Sequence, residues 1–113
     1  MNLDHAISAH LAWKLALRQA VQTRVATHLD PEVLGRIDRC ELGLWLASPA
    51  ARFEGVEELR TLHAHFHAVA GELIHRLQQA GTLAETRGLA GDLEDISARL
   101  VVCLGTAARI VNP

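Results

Sequence analysis

Apolar positions recur at helical spacing along most of this chain, and they resolve into four segments. The first runs from about Leu3 to about His28. Leu3, Ile7, His10, Trp13 (with Lys14 beside it), Leu17 and Val21 form its inward seam. A second apolar line, Leu11, Leu15 and Val25, faces elsewhere and implies a helix from another subunit. Asp30-Pro31 ends the segment, with Pro31 suited to open a short turn of helix.

The second segment, Arg36 to Ala47, is short and is expected to be a helix capped by Asp38, with Cys40 in its first turn. Ser48-Pro49 closes it. The third spans about Phe53 to Ala80, with Leu59, His63, Phe66, His67, Ala70, Leu73 and Leu77 on one face. Gly81 stops it, and Thr82 with Glu85 reads as a capping box for the fourth. That last seam steps by fours and threes through Leu89, Leu93, Ile96, Leu100, Cys103, Ala107 and Ile110. Gly88 and Gly91 weaken its early part. Repeats and interdomain linkers are lacking, so residues 1–113 read as one domain. The expectation is an all-α fold: a four-helix bundle with an additional short helix carrying the cysteine, assembled as a homodimer.

Composition supports this class. Half of the 113 residues are apolar, tyrosine is absent, and Leu and Ala dominate. A chain of this length buries about two thirds of its unfolded surface, enough core to fold without a disulfide or a metal. A net charge of −2 with scattered arginines excludes the basic stripe of a nucleic-acid surface. No apolar run reaches spanning length, and the N-terminus lacks a signal-peptide layout. The two cysteines, Cys40 and Cys103, do not make a secreted disulfide scaffold. A cytoplasmic protein without membrane contact is expected.

The candidate chemistry begins with His63 and His67. Spaced i and i+4 inside an apolar stripe, the two imidazoles can converge on one point, and buried polar rings need partners. His10 on the first seam and Cys40 near a helix start complete three imidazoles and a thiol, the donor set of a tetrahedral zinc site. A helix N-terminus favours the thiolate of Cys40. The competing reading makes His63 and His67 ordinary core histidines bonded to carbonyls. His5, His28, His65 and His75 lie off these faces and read as surface residues, whereas Cys103 fills a seam position as a small hydrophobe. Trp13 and Trp45 are expected to cover the site and exclude water, and Gly43 to let the short helix approach.

His10-Leu-Ala-Trp13-Lys14, Cys40-Glu-Leu-Gly43-Leu-Trp45-Leu46 and His63-Ala-His-Phe66-His67 together resemble the bacterial chemoreceptor zinc-binding (CZB) domain family. The resemblance implies that His10, Cys40, His63 and His67 bind zinc in a cytoplasmic sensory module, typically a homodimer. In such modules zinc occupancy, or oxidation of the zinc-bound Cys40 by hypochlorous acid, changes the output of an attached signalling domain or partner. The stretch Trp13-Lys14-Leu-Ala-Leu-Arg18 is similar to the branch linked to diguanylate cyclases, and chemoreceptors are the other setting.

Three functions therefore compete: a zinc sensor, a redox sensor using the same Cys40, and a metal-free dimerisation bundle. An enzyme is not expected, because a catalytic zinc keeps three protein ligands and an open position, whereas four candidates are present here. The His-Glu-x-x-His signature is also missing.

Overall fold

In a computed structural model, residues 2–25, 29–36, 40–79 and 83–111 are described. Every regular element among them is a helix: α1 (Leu3–Thr23), α2 (Pro31–Leu34), α3 (Glu41–Leu46), α4 (Val56–Gln78) and α5 (Leu83–Val111). Three long helices and two short ones match the three long segments, the turn of helix at Pro31 and the short segment after Cys40 read from the sequence. A fourth long rod of a four-helix bundle is not found among the described residues.

Local chemistry sets the helix ends. Asn2 Oδ1 accepts from the amides of Asp4 and His5 at 3.1 and 3.2 Å, satisfying donors that an α1 N-terminus leaves open. Arg24, in the left-handed conformation at φ 60°, ends α1 well before His28. Val25 therefore lies beyond the helix rather than on its second apolar line. Pro31 opens α2 as expected, with Asp30 Oδ1 accepting from Glu32 N at 2.9 Å. Gly55, at φ 93°, precedes α4, a conformation that needs glycine. Asp38, Gly81 and Thr82, to which capping and stop roles were assigned, lie outside the described residues, as does His28.

The core is the common face of the long helices: Leu3, Leu17, Leu59, Phe66, Leu73, Ile74, Leu100 and Leu104 are all fully buried. All seven residues expected on the inner face of α4 are buried. The 29 residues of α5, at about 1.5 Å each, account for the 44 Å length of the molecule. α5 packs along both α1 and α4, whereas the backbones of α1 and α4 come close at few points and meet through side chains; α2 and α3 lie against α4.

The seam of α5 departs from its strict 4–3 pattern. Leu93, Ile96, Leu100 and Ala107 are buried, but Cys103 is only half-buried and Ile110 is exposed, while Leu104 takes a core position. A straight helix of 3.6 residues per turn drifts by about 20° per heptad from a 3.5 repeat, and over this length the buried line moves from Cys103 to Leu104. Cys103 thus packs at the edge of the core rather than inside it, and lines a groove with Phe53, Glu58, Arg99 and Val102. Gly88 and Gly91 sit within α5 without ending it. No helix of the described residues is long and apolar enough to cross a membrane.

Candidate metal centre

One stripe of α4 supplies two of the four donors. His63 and His67 are both buried, one turn apart, with their Nε2 atoms 3.0 Å from each other. α1 supplies His10, buried on the same face as Leu3, Ala6 and Leu17. Cys40 comes from the approach to α3. It occupies the N-cap itself, with extended backbone (φ −113°, ψ 131°), and the helix starts one residue later at Glu41. This corrects the expectation that Cys40 stands in the first turn. An N-cap side chain can turn back over its helix, but the Cys40 sulfur lies near the Leu42 and Gly43 amides without making a capping hydrogen bond of full geometry. Instead Sγ lies 3.5 Å from His63 Nε2 and 3.9 Å from His10 Nε2.

One donor atom from each of His10, Cys40, His63 and His67 lies within 4.8 Å of the others, and all four residues are buried. A tetrahedral zinc with Zn–N near 2.0–2.1 Å and Zn–S near 2.3 Å places neighbouring nitrogens about 3.4 Å apart and nitrogen and sulfur about 3.6 Å apart. The spacings in the cluster bracket these values. The cluster is therefore able to bind zinc.

Hydrogen bonds decide which ring nitrogens are free. His10 Nδ1 donates to the Ala6 carbonyl oxygen at 2.7 Å, and His67 Nδ1 donates to the Leu34 carbonyl oxygen at 2.7 Å. Both rings then present a bare Nε2 lone pair to the centre. Bonding to carbonyls, which characterises ordinary core histidines, is here also the outer support of a metal-ligating imidazole. The difference lies in the second nitrogen: both Nε2 atoms point into the cluster, not at carbonyls of their own.

Burial tunes the protons in the same direction for all three rings. It lowers the pKa of His10 from its ordinary value, with the neighbouring His67 adding to the effect and the Ala6 bond opposing it. His63 is pushed down to about 3 by burial and then by the nearby His67 and His10 rings. Burial lowers His67 too, against its bond to Leu34. The Cys40 thiol is pushed up by burial, with the amides of Gly43 and Leu42 at the head of α3 pulling the other way and Glu41 adding to the rise. The N-cap position thus does not by itself make Cys40 a thiolate; burial outweighs the backbone amides.

Aromatic rings wall the cluster. Trp13 meets His10 edge-on at a centroid distance of 5.0 Å and His67 at 5.3 Å. Phe66, whose role sequence reasoning reduced to core, stands 5.4 Å from His10 and 5.5 Å from His67. Trp45 stacks on Phe53 at 6.0 Å, so its ring serves the join between α3 and α4. His5, His65 and His75 are exposed. The Leu34 carbonyl went unnoticed in the sequence, because a backbone acceptor leaves no residue-type signal.

The family profile for the chemoreceptor zinc-binding domain matches residues 10–74, more than half of the chain and the whole span from His10 to His67. No curated protein and no solved structure gives a significant match.

Proposed function

The chain belongs to the chemoreceptor zinc-binding domain family, and from that membership we propose that His10, Cys40, His63 and His67 hold one zinc ion whose occupancy is the signal of a sensory domain. The observation that carries this reading is the convergence of four buried donors, two of them with their other ring nitrogen already committed to a carbonyl. Zinc, when bound, supplies a divalent charge that favours the thiolate and ties separate chain segments together. The protein's part is to present Nε2 of His10 and His67 bare, release the Cys40 proton, and exclude water with Trp13 and Phe66. Four protein donors fill a tetrahedral shell, which supports a non-catalytic role.

The core is extensive without the cluster, so metal need not create the fold; it biases how α1, α3 and α4 sit. Output passes to a signalling domain or partner of cyclase or chemoreceptor type, and the exposed Leu11 and Leu15 on α1 support assembly with a second copy. The redox variant ranks second. Cys40 is only 5 % exposed and its thiol is disfavoured from ionising, so oxidant attack depends on zinc holding it as thiolate.

Elemental analysis of protein purified without a histidine tag tests the reading. One zinc per chain is expected, with Cys40→Ala and His63→Gln retaining helicity by circular dichroism and losing tight binding. Full zinc affinity in both variants overturns the assignment.

A further inference from the structure

Gly71 stands in the middle of α4, one turn beyond His67 on the same face, and is buried. A glycine inside a helix is less favourable than alanine, so a mid-helix glycine calls for a reason. Here the reason is contact. A Cβ on Gly71 would lie 2.8 Å from the Gly35 Cα, 3.0 Å from the Pro31 carbonyl oxygen and 3.1 Å from the Gly35 nitrogen. All three are backbone atoms, which cannot swing aside as a side chain can. Gly88, Gly91 and Gly105 of α5 would meet nothing within 4 Å.

The contact has a chemical outcome. α2 is only four residues long, so the carbonyl of its last residue, Leu34, gains no acceptor role within the helix. Seated on Gly71, it accepts the Nδ1 proton of His67 at 2.7 Å. Two turns further along α4, Gln78 Nε2 holds the chain just ahead of α2, donating to the Leu29 carbonyl oxygen at 2.5 Å. We propose that Gly71 is a positioning residue for the metal centre: its missing side chain seats α2 so that the Leu34 carbonyl fixes His67 with Nδ1 protonated and Nε2 free. This rests on the zinc reading above. Outer partners of this kind orient a ligating imidazole, and their loss typically costs 10–100-fold in metal affinity.

The experiment compares wild type with Gly71→Ala, using Gly91→Ala as the helix-glycine control. Side-chain nitrogen NMR, with the His67 signal assigned by its loss in His67→Gln, reads the tautomer in metal-free protein. Competition with a chromogenic chelator reads zinc affinity. Gly71→Ala is expected to keep its helicity, move His67 from the single Nδ1–H form to a mixture of tautomers, and weaken zinc about 10–100-fold. Gly91→Ala should stay within about twofold of wild type, since its Cβ meets nothing. If Gly71→Ala does not fold, Gly35→Ala serves: its Cβ meets the Pro31 oxygen at 3.0 Å and the Gly71 Cα at 3.7 Å, a milder displacement of the same seat. An unchanged His67 tautomer or unchanged zinc affinity overturns the positioning role. Failure of wild type to take up zinc overturns the metal reading instead, and the tautomer, read without metal, distinguishes the two.

Discussion

Arg60 Nε donates to the Leu46 carbonyl oxygen at 2.8 Å, so a side chain of α4 closes the C-terminal end of α3. Its Nη2 donates to the Ala51 carbonyl oxygen at 3.2 Å, and a third contact goes to Glu57 on its own helix. One planar guanidinium thereby ties down the segment that follows the cysteine, three residues before His63. Arg60→Met keeps the apolar stem and removes the donors, leaving two carbonyls to find other partners. We expect a loss of about 1–2 kcal/mol in thermal unfolding and weaker zinc binding, because α3 carries Cys40 at its head. Arg60→Lys should recover only part, since an ammonium cannot reproduce the fork. Unaltered melting and zinc affinity in Arg60→Met would show the clamp to be idle.

Zinc uptake should release about one proton near neutral pH. Burial keeps His10, His63 and His67 below the ordinary histidine value of 6.5, so above that pH their rings are already neutral. Burial raises the Cys40 thiol, which must lose its proton to become a ligand. The free protein therefore binds one proton more than the zinc form, and affinity rises with pH by about one logarithmic unit per pH unit between pH 7 and 8. Chelator competition at several pH values measures the slope. Cys40→Ala should flatten it; a wild-type affinity independent of pH counts against thiolate ligation.

Ser97 has a buried hydroxyl without a hydrogen-bond partner among the described residues. Serine is also a poorer helix former than alanine. Ser97→Ala is expected to stabilise the protein by about 1 kcal/mol, seen as a rise of a few degrees in melting temperature, with zinc stoichiometry unchanged. A melting temperature that falls by several degrees would mean that the hydroxyl has a partner after all.

Leu15 is 57 % exposed, and Leu11 lies on the same side of α1 one turn away. If a second copy covers this face, Leu11→Lys with Leu15→Lys should convert a dimer to a monomer in analytical ultracentrifugation, while the cluster keeps its zinc. A wild-type monomer at tens of micromolar would remove the dimer from the account.

Side-chain pattern made much of this architecture legible. The i,i+4 spacing of His63 and His67 inside an apolar stripe placed both rings on the inner face of α4, where they are found. His10 was legible for the same reason, as a polar residue on a seam. What sequence reasoning could not reach depends on backbone. The Gly35–Gly71 contact and the Leu34 acceptor involve no distinctive side chain and join positions more than thirty residues apart. Cys40, expected two residues past an Asp38 cap, is itself the cap, because a helix start turns on the dihedral angles of a few residues. On α5, a strict 4–3 reading chose Cys103 over Leu104, because the drift of a straight helix accumulates with length and no short window reveals it.

α5 supplies no donor, yet it is the element along which both α1 and α4 lie, while those two meet chiefly through the side chains of the cluster and its aromatic wall. Two bars joined to a common third are braced against each other only where they meet directly. An ion gripped by His10 on one bar and His63 with His67 on the other would act as the strut between them.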